Sequence, residues 1–214
     1  MKESNYIDSL KPISLKSLRS SDTVAISQYL LGKVLVSNID NKVTAGIIVE
    51  VEAYKAPEDK ASHAYNNRRT ERTKIMYDKG GISYIYLCYG LHQMFNVVTG
   101  PQGSPHAILV RSIEPIIGLS TIMARRSVKG KNLTNGPGKL AAALGINTSF
   151  NGIDITNKKS NIWIGEDVSY KCSNIISGPR VGIAYAKECA HWPWRFYLAN
   201  NSWVSKPLHV SYKQ

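Results

Sequence analysis

The chain has 214 residues, which is the size of one large domain or of a domain with small additions. Its 43% hydrophobic and 20% charged residues are typical of a globular protein that buries a full core. The net charge of +12 is unusual and favours a polyanionic partner, with nucleic acid ahead of an anionic membrane surface. A basic surface that serves solubility alone is the remaining alternative.

Membrane association and metal binding find no support in the sequence. No apolar run approaches the ~20 residues that a bilayer span needs, and no apolar signal region follows Met1. We therefore expect a cytoplasmic protein, associated with the nucleoid if the source is bacterial. The cysteines Cys88, Cys172 and Cys189 lack paired spacing, so we expect reduced thiols. No ligand spacing for zinc or an iron–sulfur cluster occurs.

The N-terminal third predicts a helix followed by a β-hairpin. Residues 1–12 are polar and are expected to form a loose segment. Residues 23–31 are predicted to be a helix, with Asp22 as its N-cap and Gly32 as its stop. A strand follows, and a turn at 40–41 leads into a second strand.

This second strand, residues 46–54, organises the rest of the chain. Its alternation with period two places Ile47, Val49, Val51 and Ala53 on one apolar face. The other face carries Glu50, Glu52 and Tyr54 together with Ile48. Residues two apart on a strand lie ~7 Å from each other, so two carboxylates and a phenol are expected in a row. An ordinary half-exposed strand with its charges in water is the alternative.

A long polar and basic loop, residues 55–74, follows this strand. Loops of this length are usually functional or disordered. It contains His63 and the cations Arg68, Arg69, Arg72 and Lys74. A solvent-exposed histidine and a solvated basic face are the alternatives to a functional reading.

The next segment predicts a second, aromatic hairpin, with strands at 82–90 and 93–98. Tyr84 and Tyr86 share one strand face, where either core packing or a pocket would suit them. Tyr89 lies beside Gly90 near the turn. An exposed aromatic side chain at a hairpin tip is unfavourable in water, so we expect Tyr89 to insert into a partner.

Arg111 interrupts the strongly apolar strand predicted at 107–113. An unpaired buried charge is very costly, so this arginine needs a carboxylate or phosphate partner. Glu50 and Glu52 are both candidates for that partner. Residues 115–126 are predicted to form a helix with a basic end.

A further helix is predicted to open at 135–140, with Pro137 in its first turn. Free amides at this helix start, with Lys139 beside them, suit a phosphate. A helix start without a ligand is the alternative. Short strands are expected around 162–164, 181–183 and 195–197.

Without repeats, low-complexity tracts or linkers, residues 1–214 are expected to form a single domain. We predict the α+β class, with a curved antiparallel β-sheet flanked by helices and a protruding β-hairpin.

Five stretches in this order resemble the alkyladenine (3-methyladenine) DNA glycosylase family, of the type that is not built on a helix-hairpin-helix. They are VEVEAY at 49–54, the hairpin at 84–96, LVR at 109–111 with EP at 114–115, NGPGKL at 135–140 and PRVG at 179–182. The resemblance extends from about Ala25 to Ser205, nearly the whole chain.

The resemblance implies a monofunctional enzyme that needs neither cofactor nor metal and starts base excision repair. Glu52 would be the general base that activates a water, and Arg111 and the carbonyl of Val181 would help to hold that water. Tyr89 would wedge into the DNA stack, and Asn96 would inspect the edge of the extruded base.

The resemblance also implies how the base and the DNA backbone would be bound. Tyr54, His63 and Tyr86 would form an aromatic box around the extruded base. Arg68 and Lys139 would contact phosphates. The partner would be double-stranded DNA with damaged purines, bound by a monomer.

Two other readings use the same basic surface. A non-catalytic nucleic-acid-binding module would need the cations and aromatics, and an RNA-binding accessory domain is suggested by analogy of fold with a tRNA-binding domain of formyltransferases. Glu52 favours the enzyme, because a mere binder has no use for an acid that faces phosphates.

Overall fold

The computed structural model describes residues 3–172 and 174–206, and these form one antiparallel sheet with helices against it. The strands β1 to β9 are Lys11–Pro12, Val34–Ile39, Lys42–Lys55, Ser83–Cys88, His92–Thr99, His106–Ile117, Ile162–Glu166, Ile175–Gly178 and Arg195–Leu198. The helices α1 to α5 are Glu3–Ser9, Leu15–Leu18, Thr23–Leu30, Leu119–Arg126 and Pro137–Leu144. Short 3₁₀ helices are Tyr65–Asn67, Lys74–Tyr77, Gly130–Leu133, Thr148–Phe150 and Ala184–His191. The predicted α+β class with a curved antiparallel sheet is confirmed.

Strand β3 lies in the middle of the sheet. The strand order is β1-β7-β2-β3-β6-β5-β4, and β9 pairs with both β3 and β8. One edge of β3 therefore pairs first with β2 and then with β9, while β6 covers the other edge. The side chains of Glu50 and Glu52 are 0% exposed, so the alternative of a half-exposed strand with its charges in water is wrong.

The register of β3 against β6 shifts on both sides of Glu50. Such a β-bulge breaks the strict alternation of side chains and re-aims them locally. The predicted row of Glu50, Glu52 and Tyr54 is therefore only partly right. Glu52 and Tyr54 face a cavity, whereas Glu50 is held between buried arginines.

Both N-terminal predictions of helix and hairpin are confirmed. The side chain of Asp22 accepts a hydrogen bond from the N–H of Ala25 at 2.9 Å, which caps α3. Asp40 and Asn41 both have positive φ, 55° and 57°, which a two-residue hairpin turn requires.

The expectation of a loose segment at 1–12 is wrong for residues 3–12, and Met1 and Lys2 lie outside the described residues. Helix α1 and strand β1 occupy this segment, and β1 pairs with β7. Leu10 is buried, and the hydroxyl of Tyr6 donates to Asp167 at 2.8 Å. The burial of Leu10 and the hydrogen bond of Tyr6 anchor the segment despite its polar composition.

Two further boundaries differ from the predictions. The helix expected at 115–126 begins only at Leu119, because 115–117 continue β6 alongside β3 and Gly118, with φ 70°, makes the turn. Residues 181–183 form a bend instead of a strand, because Gly182 has φ 77° and cannot continue an extended chain.

The aromatic hairpin of β4 and β5 is fixed to the body of the domain at several points. Helix α5 begins at Pro137 as predicted and packs on β5, where a Cβ at Gly138 would lie 3.0 Å from the Cβ of His92. The N–H of Ile85 donates to Asn151 Oδ1 at 2.9 Å. Only the tip around Tyr89 projects freely, as the predicted protruding hairpin requires.

None of the helices in the described part of the chain has the length and apolar character needed to cross a bilayer.

Candidate active site

A cavity of about 500 Å³ opens beside the C-terminal half of β3. It is lined by side chains from β3, the aromatic hairpin, β6, the loop after β3 and the bend at 181–183. Among them are all the residues predicted to bind the base or perform the chemistry: Glu52, Tyr54, His63, Tyr86, Asn96, Arg111 and Val181. The structure therefore brings together residues that are up to 129 positions apart.

Two hydrogen bonds and one ion pair hold the carboxylate of Glu52 at the wall of this cavity. The N–H of Val181 donates to Oε1 at 2.7 Å, and Arg111 Nη1 lies 3.2 Å from the same oxygen. The hydroxyl of Tyr54 donates to Oε2 at 2.8 Å. Since a carboxylate offers about four acceptor positions, Glu52 retains the capacity to accept a hydrogen bond from a water molecule.

Val181 thus contacts the site in a way that the sequence did not predict. Its carbonyl was expected to hold the water, whereas in the structure its N–H orients Glu52. The bend that replaced the expected strand makes this contact possible.

Arg111 bridges both carboxylates, which resolves the two candidates for its partner. Its Nε donates to Glu50 Oε1 at 3.0 Å, and Nη1 reaches Glu52. Burial lowers the pKa of Arg111, but Glu52 and Glu50 outweigh this effect and raise it overall, so the side chain is a cation. Glu50 also accepts hydrogen bonds from Arg195 Nη1 at 3.1 Å and from the N–H of Ser205 at 2.7 Å. Glu50 therefore has a second cationic partner, Arg195, in addition to Arg111.

Three rings form an aromatic wall of the cavity. His63 meets Tyr86 edge-on, with ring centroids 4.6 Å apart, and its Nδ1 lies 2.8 Å from the Tyr84 hydroxyl. The rings of Tyr84 and Tyr86 are 5.4 Å apart. Tyr84, which the sequence left open between core and pocket, is buried in the core and also lines the cavity.

The rings of the cavity are electrically neutral at physiological pH. Burial is the main cause that raises the pKa values of Tyr54, Tyr84 and Tyr86 above the usual phenol range. Burial, and then the charges of Arg72 and Arg68, lower the pKa of His63 to about 4. A cationic base would therefore meet uncharged ring faces instead of an imidazolium.

The neutral His63 predicts a loss of stability in mild acid. The unfolded chain takes up a proton near the usual pKa of 6.5, and the folded chain does so only near 4, so stability falls as the pH drops from 6.5 towards 4. By this linkage the wild type should lose about 2 kcal/mol between pH 7 and pH 5 that a His63→Gln variant does not lose. Denaturant unfolding of both proteins at the two pH values measures this difference, and parallel losses would contradict a lowered His63 pKa.

Asn96 is held rigidly on β5, opposite Tyr84 on β4. Its Nδ2 donates to the carbonyl of Tyr84 at 3.0 Å and to that of Met94 at 3.2 Å. With both amide protons engaged by the backbone, the side chain cannot swing away from the cavity that it lines.

Tyr89 projects from the hairpin tip with 91% of its surface exposed. Its φ of 50° is rare for a bulky residue, and such backbone outliers concentrate at functional sites. The neighbouring Leu91 is 78% exposed, so the tip presents two apolar side chains to solvent.

The two predicted phosphate contacts flank this region on separate elements. Lys139 Nζ is bonded to the neutral amide oxygens of Asn135 at 2.8 Å and Asn132 at 3.2 Å, at the start of the helix whose Pro137 lines the cavity. Arg68 is exposed in a shallow groove that adjoins the cavity at His63. Within the described residues neither cation forms an ion pair with a carboxylate.

Sequence reasoning gave no role to three buried charged residues next to the site, Asp59, Arg180 and Arg195. Arg195 interrupts an apolar and aromatic run at 194–198, so the argument that identified Arg111 would also have identified it. Arg180 follows a Gly-Pro sequence in a loop, where no pattern signals burial.

No group of three or more His, Cys, Asp or Glu side chains in the described ranges is placed to hold a metal ion. An oriented buried carboxylate beside an aromatic cavity, on a strongly basic chain, fits the class of hydrolases that act on nucleic acid bases. Comparison with known proteins specifies this class further.

The family model described as methylpurine-DNA glycosylase matches residues 17–202. A provisionally named 3-methyladenine DNA glycosylase of Bacillus mycoides is 44% identical over 199 residues, which cover 89% of this chain and 98% of the relative. Similarly named proteins of Bacillus cereus and Bacillus cytotoxicus are each 44% identical and are covered to 97% and 95%. The chain belongs to the methylpurine-DNA glycosylase family. It is a DNA glycosylase, a hydrolase of N-glycosyl bonds, and the resemblance read from its sequence is confirmed.

Proposed function

We propose that this DNA glycosylase extrudes alkylated or deaminated purines from double-stranded DNA and hydrolyses the N-glycosyl bond with a water that Glu52 activates. The observation that carries the proposal is the carboxylate of Glu52, which is fully buried, is held by two hydrogen bonds and an ion pair, and faces the aromatic cavity. The product would be an abasic site, which base excision repair then processes.

The chemical step assigns a role to each group around Glu52. The carboxylate accepts a proton from the water while the water oxygen attacks C1′ of the deoxyribose. The bond between C1′ and the base nitrogen breaks, and its electron pair leaves with the base, so an alkylated cationic purine departs neutral. The oxocarbenium-like sugar is stabilised by the nearby carboxylate. Arg111 and the N–H of Val181 keep that carboxylate in one orientation.

Binding of the extruded base falls to the aromatic wall. A base inside a duplex is unreachable, and its extrusion costs a few kcal/mol of unstacking. Stacking on aromatic side chains returns ~1–3 kcal/mol per base. Tyr54, His63 and Tyr86 supply neutral ring faces for this contact, and a positive charge on an alkylated purine strengthens it.

Asn96 is proposed to discriminate between purines at the base edge. Its two backbone hydrogen bonds prevent it from making room for the extra amino group of guanine. Asn96→Ala should therefore raise release of guanine-type lesions relative to adenine-type lesions. Measuring both released bases from one alkylated DNA tests this, and an unaltered ratio would place selection elsewhere in the pocket.

Tyr89 is proposed to fill the gap that the extruded nucleotide leaves. Loss of one stacking contact of ~1–3 kcal/mol predicts that Tyr89→Ser lowers base release from paired lesions by roughly 5- to 150-fold. Lesions that are already unpaired should lose much less, because their extrusion is easier. Leu91→Ser is the matched control at the same tip. Equal losses on both substrates would make Tyr89 a packing residue.

Incubation with duplexes that carry 3-methyladenine, 7-methylguanine, hypoxanthine or ethenoadenine, followed by chromatography of free base, tests the proposed function. Binding without release would favour the non-catalytic module. Preference for tRNA over duplex DNA would favour an RNA-binding accessory domain.

We further propose that the enzyme acts as a monomer on damaged double-stranded DNA in the cytoplasm, at the nucleoid. The groups proposed for the chemistry, Glu52, Arg111 and Val181, meet within one chain, so the proposed step needs no residue of a second copy. A DNA substrate and bacterial relatives support the location.

A further inference from the structure

A buried ion pair lies behind the aromatic cavity without lining it. Arg180 and Asp59 are 5% and 0% exposed, and both terminal nitrogens of the guanidinium donate hydrogen bonds to the carboxylate. The Nη2 to Oδ1 distance is 2.8 Å. This fork geometry fixes the plane of the guanidinium as well as its position.

The pair ties together two regions of the chain that are far apart in sequence, residues 53–61 and residues 180–189. Arg180 Nη1 donates to the carbonyl of Ala53 at 2.8 Å, and Nη2 donates to that of Cys189 at 3.2 Å. Asp59 Oδ1 accepts the N–H of Ala61 at 3.0 Å. Strand β3, the loop after it and the 3₁₀ helix at 184–191 are therefore anchored at one point.

Two of these anchors, Ala53 and Ala61, and Arg180 itself lie close in sequence to residues of the cavity. Ala53 precedes Tyr54, whose ring centroid lies 4.7 Å from the Arg180 guanidinium carbon. Arg180 itself precedes Val181, and Ala61 is two residues before His63. The Trp194 ring, 5.3 Å from the guanidinium carbon, closes the remaining side.

Both hydrogen-bond donors to Glu52 belong to this arrangement. The Tyr54 hydroxyl and the Val181 N–H both reach the carboxylate from segments that Arg180 fixes. A displacement of about 1 Å in such a site can reduce a rate by about 10²-fold. An ion pair of this kind adds little stability over a well-packed apolar pair, so geometry is its main contribution.

We infer that the Arg180–Asp59 pair is the positioning element of the active site, which holds Tyr54 and Val181 in register with Glu52. The inference rests on the proposed function of Glu52 as the base that activates water. Arg180 and Asp59 act through these neighbours and do not touch the reacting atoms.

The test compares Arg180→Lys and Asp59→Asn with the wild type and with Leu30→Ala. Lysine keeps the charge but can neither form the fork nor stack flat on Tyr54. Leu30 is fully buried on α3 and does not line the cavity, so its truncation is a control for a loss of stability alone. Base release in single turnover, affinity for a duplex with an abasic analogue, and thermal unfolding are measured at a temperature where all proteins are folded.

We expect base release to fall about 10- to 100-fold in Arg180→Lys and Asp59→Asn. Affinity for the abasic duplex should stay within about twofold, because surface contacts with phosphates dominate docking. Leu30→Ala should unfold at a lower temperature and release base at the wild-type rate. Millimolar guanidinium should restore part of the rate of Arg180→Ala by occupying the vacated site.

Wild-type rates in Arg180→Lys and Asp59→Asn, with lowered unfolding temperatures, would overturn the inference and leave the pair a structural element. The wild type's own base release tests the proposed function separately. If the wild type releases no base, the proposed function fails. The positioning role of the pair is then tested by binding: it is supported if Arg180→Lys and Asp59→Asn lose affinity for a lesion duplex and keep their affinity for the abasic duplex. Retained lesion affinity in that experiment would also overturn the inference.

Discussion

Glu52→Gln should lower base release by about 10²–10⁴-fold, the usual loss when a general base is removed. An amide cannot accept the proton of the attacking water. The geometry should survive the substitution, because the two carboxylate oxygens have different partners. Oε1 faces the obligatory donors Val181 and Arg111, whereas Oε2 faces the Tyr54 hydroxyl, which can accept a hydrogen bond from the amide. Single-turnover release of base from a lesion duplex measures the effect.

DNA binding by the same variant should persist or tighten, because a negative charge has left a site that meets a polyanion. Glu50→Gln is the control, with a milder effect on base release. Glu50 is bonded to Arg111, Arg195 and Ser205 and does not line the cavity, so its loss should mainly lower stability. Wild-type release by Glu52→Gln together with a strong defect in Glu50→Gln would mean that the two carboxylates have the opposite roles.

Affinity for duplex DNA should fall steeply with salt. A protein that neutralises about five phosphates has a slope of about −4.5 in log K against log salt, so affinity should drop roughly 500-fold between 50 and 200 mM. The base sequence of the duplex should have little influence on the affinity, since contacts with phosphates do not distinguish between bases. Titration of a duplex with an abasic analogue at several salt concentrations measures the slope.

Single variants identify the docking face. Lys139→Ala and Arg68→Ala should each reduce the slope by about 0.9, because neither cation is paired with a carboxylate in the described part of the chain and each lies beside the cavity or its groove. Lys158→Ala is the control, since this lysine contacts Asp8 and Leu10, and none of the three lines the cavity or the groove. An affinity that does not respond to salt would exclude the basic surface as the docking face.

Local patterns predicted the elements that local physics decides. The first hairpin followed from period-two alternation and from Asp40 and Asn41, which tolerate positive φ. Helix α3 followed from an N-cap at Asp22 and a stop at Gly32. These signals lie within a few residues of the structure that they specify, so sequence alone contains them.

Contacts between segments that are distant in sequence could not be predicted from such local patterns. The bulge at Glu50 depends on how β3 pairs with β6 and β9, and the sequence of β3 does not indicate this pairing. The partners of Arg111 were narrowed to two carboxylates, but the bridge to both requires the assembled sheet. The placement of the site residues followed from the family motifs, while their individual roles stay predictions.

The anchoring of the aromatic hairpin bears on which molecule would deform if Tyr89 wedges into the DNA stack as proposed. Strands β4 and β5 rest on α5 and on residues 150–151, so the hairpin is held to the part of the domain that carries the cavity. The protein would then act as a template, and the double helix would absorb the distortion. Pyrimidine–purine steps unstack easily and A-tracts are stiff. The same lesion should therefore be removed faster from a flexible DNA sequence than from a stiff one. The rate of repair would then vary along the chromosome with the local flexibility of the DNA.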